Sequence, residues 1–532
     1  MFDFDWSFPY PSQRMTVHAR DVITTSQPLA AEAGMEIFRR GGNAVDAAIA
    51  TAITLTVVEP TSNGIGSDNF ALVWKDGRLH GMNASGRAPA GLDPERFLTE
   101  EAISLFGWDP ITVPGAPSGW LHLSQNFGSL PFADLFEPAI RYGREGFHVS
   151  PQTASSWRGA ARRWPRERHA DFHDTFLPGG RGPATGELRT LPDHAATLEA
   201  IAATKTEAFY RGELAERIEA AAIAAGAPMR ASDLAAHRAD VVEPISIDYH
   251  GWELHEIPPN GQGIAALIAL GILRHFPMRD MSPDCVDSLH LQIESMKLAF
   301  RDAHRYVADP DHLEFDCERL LDDDYLLERS KLVDHQRATD FDHGTPMDGG
   351  TVLLGAADRS GIMISLIQSN YTGFGSGIVV PGTGISMQNR GGCFTPKRGH
   401  PNAPGPNKRP FHTIIPGFIT RNGEPVSAFG VMGGAMQPQG HMQMLMRMAD
   451  HKQNPQAALD APRWQVTEGL KVMLEPGFPA DTAEELRARG HDIQVAERRT
   501  VRFGGGQIIV RMPDGGYCAG SDLRRDGQAV GR

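Results

Sequence analysis

The stretch Gly349-Gly350-Thr351-Val352-Leu353-Leu354 places a hydroxyl at the head of a β-type run. Glycine carries no Cβ, so the backbone before Thr351 can take a tight turn. The apolar residues after it favour a buried strand. A threonine hydroxyl is a weak nucleophile and needs a base. Cutting the Gly350–Thr351 bond would supply one, because the freed α-amino group titrates near pH ~7.7–8, close to the working pH that suits a general base. Nucleophile and base then belong to one residue, the threonine/N-terminal-amine form of covalent catalysis. Before the cut, the same Oγ could attack the Gly350 carbonyl and pass through an ester. The β-branch restricts χ1 and helps to aim it. Taken alone, Gly-Gly-Thr before a strand is also what an ordinary turn looks like.

A second chemical element is Gly433-Gly434, between a strand at 428–431 and a helix from Gln437. Small residues there leave backbone N–H groups able to face an anion, helped by the helix N-terminus. That arrangement suits the oxyanion of an acyl-transfer intermediate, and a plain strand-to-helix turn has the same sequence. His169 and His173 stand four apart, as a metal pair would, but no third ligand lies nearby, so no metal is expected. There is no dinucleotide or phosphate-binding glycine loop. Gly373-Phe374-Gly375-Ser376-Gly377 fails as a serine nucleophile elbow, since Phe374 takes the first glycine's place.

The chain resembles the gamma-glutamyltransferase family of N-terminal-nucleophile hydrolases, from about Thr24 to Gly531. The markers stand in family order: Gly41-Gly42-Asn43-Ala44-Val45-Asp46-Ala47-Ala48, Pro114-Gly115-Ala116-Pro117-Ser118-Gly119, Gly146-Phe147, the Thr351 segment, Gly373 to Gly377, Lys408-Arg409-Pro410, Gly433-Gly434 and Asp522-Leu523-Arg524-Arg525. The resemblance implies an α+β fold, a four-layer αββα sandwich built jointly by a large subunit, 1–350, and a small one, 351–532. It implies cleavage between Gly350 and Thr351, Thr351 as nucleophile, Gly433 and Gly434 as oxyanion donors, and Ser369 as a hydroxyl beside the nucleophile. It implies no cofactor. A homodimer of such heterodimers is compatible with it.

The substrate pocket departs from the family pattern. Cys393 falls where the family carries the aspartate that holds the substrate's α-amino group, and a thiol does not supply that charge at neutral pH. Tyr371 falls near the family's substrate asparagine. His412-Thr413 replace a serine pair that contacts the substrate carboxylate. Arg87 sits about two places beyond the family's carboxylate-binding arginine. Arg87, Arg390 and His412 still favour an acid-bearing substrate, since an arginine holds a carboxylate with two parallel hydrogen bonds. The expected activity is cleavage of small carboxylate-bearing amides, gamma-glutamyl or related. An oxamate amidohydrolase-like or cephalosporin-acylase-like member is the alternative, with weak activity on glutathione. A non-catalytic scaffold, never cut, is the alternative of another class.

These residues need elements to carry them. Pro28–Arg40 reads as a helix with Ala31, Met35 and Phe38 on one face. Gly41-Gly42 stops it, and Asn43 caps a second helix, 44–57, apolar nearly all round and therefore buried. Residues 69–75 and 78–83 read as a hairpin. Residues 90–250 read as largely helical, and 264–276 and 288–307 as long helices. Residues after 351 are strand-rich, with helices at 437–450 and 480–489. Residues 1–20 read as an irregular lead-in, and 331–350 as an exposed, mobile connection.

Bulk properties set the outer limits. The 532 residues, 41% hydrophobic and 22% charged, provide for a large core, and length alone suggests two to four domains. A net charge of -14 argues against a nucleic-acid or anionic-membrane partner. The basic run Arg158–Arg168 reads as a solvated helix face. Cys285, Cys317, Cys393 and Cys518 show no disulfide or metal spacing, which fits a reducing compartment. The opening residues lack the marks of a signal peptide. The longest apolar stretch, 47–58, suits a buried helix, not a membrane span. A cytoplasmic enzyme is expected.

Overall fold

The computed structural model describes residues 13–342 and 349–532. Two seven-stranded sheets form its centre. The first runs, edge to edge, through Gln528–Gly531, Val22–Thr25, Gly350–Ala357, Met363–Tyr371, Asp68–Lys75, Arg78–Asn83 and Asp240–Val242. The second runs through Val17–Ala19, Tyr517–Ser521, Gly505–Arg511, Glu424–Met432, Gly417–Arg421, Trp252–Glu256 and Ile245–Tyr249. Neighbouring strands are antiparallel throughout.

Side-chain alternation divides each strand between two cores. Along 350–357, Leu353 and Ala357 face the other sheet, where they meet Phe418, Ala428 and Ile509. Val352, Leu354 and Ala356 face outward onto the helices Pro28–Arg39 and Ala44–Val58. The outer face of the second sheet, with Phe429, Val431 and Ile508, is covered by Gly263–Leu273, Val286–Tyr306 and Met436–Ala449. Helix, sheet, sheet, helix is the four-layer αββα sandwich. Each side chain such as Leu353 adds about 1.5–3 kcal/mol by leaving water.

The expected core helix is there, over Ala44–Val58, with every residue buried. Asn43 accepts from the N–H groups of Val45 and Asp46, and Asp46 returns a bond to Asn43 N, a capping box. Two expectations are corrected. Val17–Ala19 is an edge strand paired with Ala519–Tyr517, not irregular chain; residues 1–12 of that lead-in lie outside the described residues. The connection before Thr351 is partly anchored. Lys297 Nζ donates to Thr339 O at 2.6 Å, and Thr339 N donates to Glu294 at 3.0 Å; residues 343–348 are outside the described set. No helix among the described residues is long and apolar enough to cross a membrane.

Candidate active site

Thr351 lies on an inner strand of the first sheet, and a bulge fixes its position. Gly350 pairs with Tyr371 and Val352 with Gln368, so Ser369 and Asn370 together oppose Thr351. Such a bulge re-aims side chains and often ends a ladder beside a site. The turn out of it uses Tyr371 at φ +76, a left-handed backbone unusual for an aromatic residue. The neighbouring strand pairs Ser369 with Asp68. Thr351, Ser369 and Asp68 thus continue the inward rows that begin with Leu353, Ile367 and Phe70. All three are buried.

Ser369 is the hub. Its Oγ donates to Gly350 O at 2.7 Å. It receives the Thr351 hydroxyl at 3.2 Å, Tyr371 N at 2.8 Å and Arg390 Nη2 at 3.1 Å. A hydroxyl offers one proton and two lone pairs, so three donors compete for two places. The Thr351 bond is the longest and the first to yield, which leaves that hydroxyl free to turn onto the adjacent carbonyl. Arg390 is fully buried, donates to Thr413 Oγ1 at 2.6 Å and lies 4.5 Å from the Tyr371 ring centre.

Gly433 and Gly434 follow Glu424–Met432 and take φ +124 and +60. Only glycine accepts both values without strain. Among the described residues neither N–H finds an acceptor. A Cβ on Gly349 would lie 3.4 Å from Gly434 Cα, so the chain entering Thr351 passes directly over these glycines. Gln262 Nε2 ties them to the facing loop, donating to Gly434 O at 2.9 Å and to Thr413 O at 2.6 Å. The helix Met436–Ala449 begins just beyond.

Two clefts flank this wall. One, of about 740 Å³, has Tyr371, Cys393, Thr413 and Gln262 in its lining, with Arg301, Arg305 and Lys397 at its sides. The other, of about 520 Å³, is lined by Gly349, Gly350, Gly433 and Thr372, with Arg163 and Trp164. The basic run is therefore not simply solvated. Arg163 donates to Thr372 Oγ1 at 3.2 Å, and Trp164 is fully buried.

The sequence-named residues do not all converge. Thr351, Ser369, Tyr371, Arg390, Cys393 and Thr413 form one connected group, with Gly433 and Gly434 across from it. Arg87 lies elsewhere, held by Asp309 at 2.8 Å and Asp311 at 3.3 Å in a separate pocket with His237 and Arg409. His412 is adjacent but turned inward. It is fully buried, with Nε2 3.1 Å from Asp68 Oδ2 and Nδ1 accepting from Ile414 N. Burial, then the nearby Arg390 and Arg409, hold its pKa well below the usual histidine value. A neutral imidazole gives a carboxylate no charge, so the expected cationic role of His412 is not available. Burial raises the Cys393 thiol, and Arg390 pulls the other way.

Sequence reading missed Asp68. Burial pushes its carboxyl up to about 7, against the pull of Arg390 and of the Gly115 and Gly86 N–H groups. Its one local signal was the glycine-rich run Gly64-Ile65-Gly66-Ser67 before a strand. For metals, His169 and His173 each bond a separate backbone carbonyl, Gly377 O and Trp164 O. His290, Glu294 and His491 have ligand atoms within 4.8 Å of one another. Lys297 Nζ, 2.5 Å from Glu294, already holds the cation's place there, and His290 is bonded to His491 at 2.9 Å.

A helix–sheet–sheet–helix sandwich with a threonine opening an inner strand defines the N-terminal-nucleophile hydrolases, which act on amide bonds. The chain belongs to their gamma-glutamyltranspeptidase family, whose model matches residues 30–532. It is 32% identical to the glutathione hydrolase-like YwrD proenzyme of Bacillus subtilis (strain 168) over 97% of this chain and 99% of that one. It is 35% identical to the oxamate amidohydrolase proenzyme of Klebsiella pneumoniae subsp. pneumoniae, over 94% and 97%. Among solved structures, cephalosporin acylase from Bacillus halodurans superposes with a TM-score of 0.96 at 51% identity, covering 100% of this chain and 99% of that one.

Proposed function

We propose that the chain cuts its own Gly350–Thr351 bond and then works as a threonine amidohydrolase on small amides whose acyl part carries a carboxylate. In the first event Thr351 Oγ attacks the Gly350 carbonyl carbon. The Ser369 hydroxyl steadies the carbonyl oxygen as it gains charge, and the hydroxyl proton passes to the departing Thr351 nitrogen. Water then opens the ester, leaving a Gly350 carboxylate on a 1–350 piece and a free Thr351 amine on a 351–532 piece. In turnover that amine takes the proton from Oγ, and Oγ attacks the substrate carbonyl. The Gly433 and Gly434 N–H groups receive the oxyanion. The proton goes on to the leaving amine, and water releases the acid.

One observation carries this reading: a single hydroxyl, Ser369 Oγ, bonds both the Thr351 hydroxyl and the carbonyl oxygen on the far side of the bond to be cut. The names of the three relatives, glutathione hydrolase-like, oxamate amidohydrolase and cephalosporin acylase, support amide cleavage with different acyl groups. Glutathione is the weaker reading here. The half-buried, neutral Cys393 gives an α-ammonium group no charge partner, although Thr413 keeps a hydroxyl in the cleft wall. Four cysteines outside any disulfide support a cytoplasmic setting.

A denaturing gel with mass analysis of the smaller fragment tests the proposal. Two bands are expected, the smaller starting at Thr351, and Thr351→Ala should give one. Hydrolytically active protein with an intact Gly350–Thr351 bond would refute it.

A further inference from the structure

Arg390 carries a buried charge with no opposite charge bonded to it. Its guanidinium is fully buried, and among the described residues no carboxylate comes within ion-pair distance of it. Its hydrogen-bond partners are all neutral, the hydroxyls of Ser369 and Thr413 and, at 4.0 Å, the Cys393 sulfur, and among the described residues its Nε has no acceptor. Asp68, the nearby acid, is bonded to His412 and to the Gly86 and Gly115 N–H groups instead. A planar fork of donors in this condition is suited to a carboxylate held by two parallel bonds. Burying such a group unpaired is costly, and a ligand that pairs with it removes the penalty.

The site gives that ligand little length. Arg390 Nη2 is 3.1 Å from Ser369 Oγ, which is 3.2 Å from Thr351 Oγ1. One hydroxyl therefore separates the guanidinium from the nucleophile. Gly350 now occupies the place of an acyl group, its carbonyl oxygen on the same Ser369 hydroxyl. Gly349 and Gly350 close the gap in front of it: a Cβ on Gly349 would sit 2.8 Å from Tyr371 O. Release of Gly350 opens that space to substrate.

We infer that Arg390 anchors the substrate carboxylate and that its closeness to Thr351 restricts the acyl group to one whose carboxylate is joined to the scissile carbonyl directly or through one methylene. This rests on Thr351 being the nucleophile. An attack distance of roughly 3 Å, a carbon–carbon bond of about 1.5 Å and a carboxylate carbon–oxygen bond of about 1.2 Å, and a charge-assisted bond of about 2.8 Å, bent at each atom, span the path. The three methylenes of a glutaryl chain add roughly 1.5 Å of bond length each and overshoot unless the chain folds back.

The test uses processed wild-type enzyme and anilides HO₂C–(CH₂)n–CO–NH–aryl, with n from 0 to 3, beside the neutral carboxamide of the n = 0 compound. kcat/KM should peak at n = 0 or 1 and be roughly 100-fold lower at n = 3 and for the carboxamide, the fold-change that corresponds to losing a hydrogen bond to a charged group. Arg390→Gln should bring the acid-to-carboxamide ratio towards one, and Arg390→Lys should restore part of it. Should Arg390→Gln fail to process, competitive inhibition of the wild type decides, with oxalate and malonate expected to bind more tightly than glutarate. A maximum at n = 3, an acid preference that survives in Arg390→Gln, or tightest binding of glutarate overturns the inference while leaving Thr351 as nucleophile. Hydrolysis that persists in Thr351→Ala overturns the underlying reading instead.

Discussion

Replacing Ser369 by alanine separates the chemistry of self-cleavage from the stability of the site. The hydroxyl makes a 2.7 Å bond to the oxygen that becomes negative when Thr351 attacks Gly350. Removing one such donor from a preorganised site costs about 2.7–4 kcal/mol, or 10²–10³ in rate. The lower end applies to a neutral hydroxyl with four neighbours to share, so cleavage should slow about 100-fold. Alanine also strips Tyr371 N and Arg390 Nη2 of their shared acceptor. Each buried donor left open costs about 1–3 kcal/mol, so the precursor should lose about 2–6 kcal/mol of stability. Cleavage is followed on gels after pulsed cell-free synthesis of the full chain. Stability is read from urea unfolding of Thr351→Ala with and without Ser369→Ala, so that both chains stay uncut. Ser369→Ala protein that is folded yet cleaves within about threefold of the wild-type rate would sink the role given to this hydroxyl.

Gly433→Ala should lower kcat by roughly 100-fold with little change in KM, because a φ of +124 excludes a side chain and the N–H must turn away; steady-state kinetics within about threefold of wild type would refute it. The ring of His194 is fully buried and among the described residues neither nitrogen has a hydrogen-bond partner, so burial lowers its pKa to about 4. The folded protein keeps it neutral while the unfolded chain takes a proton below about pH 6.5, so this contribution is complete above that pH and is lost as pH falls towards 4. His194→Phe should therefore lose about 2 kcal/mol less than wild type between pH 7 and 5, measured by urea unfolding at both values; equal losses would refute the assignment.

What could be read before the fold was known depended on how local each cause was. The helix 44–58 was legible because its cap, Asn43, and its uniform apolar surface lie within the segment itself. The strand that carries Thr351 was legible for the same reason: diglycine, threonine and apolar run are contiguous. The strand 17–19 was not, since its partner, 517–519, lies about 500 residues away. Arg87 and Arg390 look alike in sequence. Only the fold gives one of them Asp309 and Asp311 and leaves the other among hydroxyls. His412 misled because its charge depends on burial and on two arginines remote in the chain. Thr339, in a stretch polar enough to suggest free loop, is held by Glu294 and Lys297 from a distant helix.

The strand Val22–Thr25 lies between Gly350–Ala357 on one side and Gln528–Gly531 on the other. With the chain severed ahead of Thr351 as proposed, a ribbon of one product would be threaded between two ribbons of the other. Dissociation then means breaking both seams at once, and recovery from denaturant becomes a bimolecular encounter. Refolding yield of the mature protein should depend on its concentration, whereas that of Thr351→Ala, still one molecule, should not.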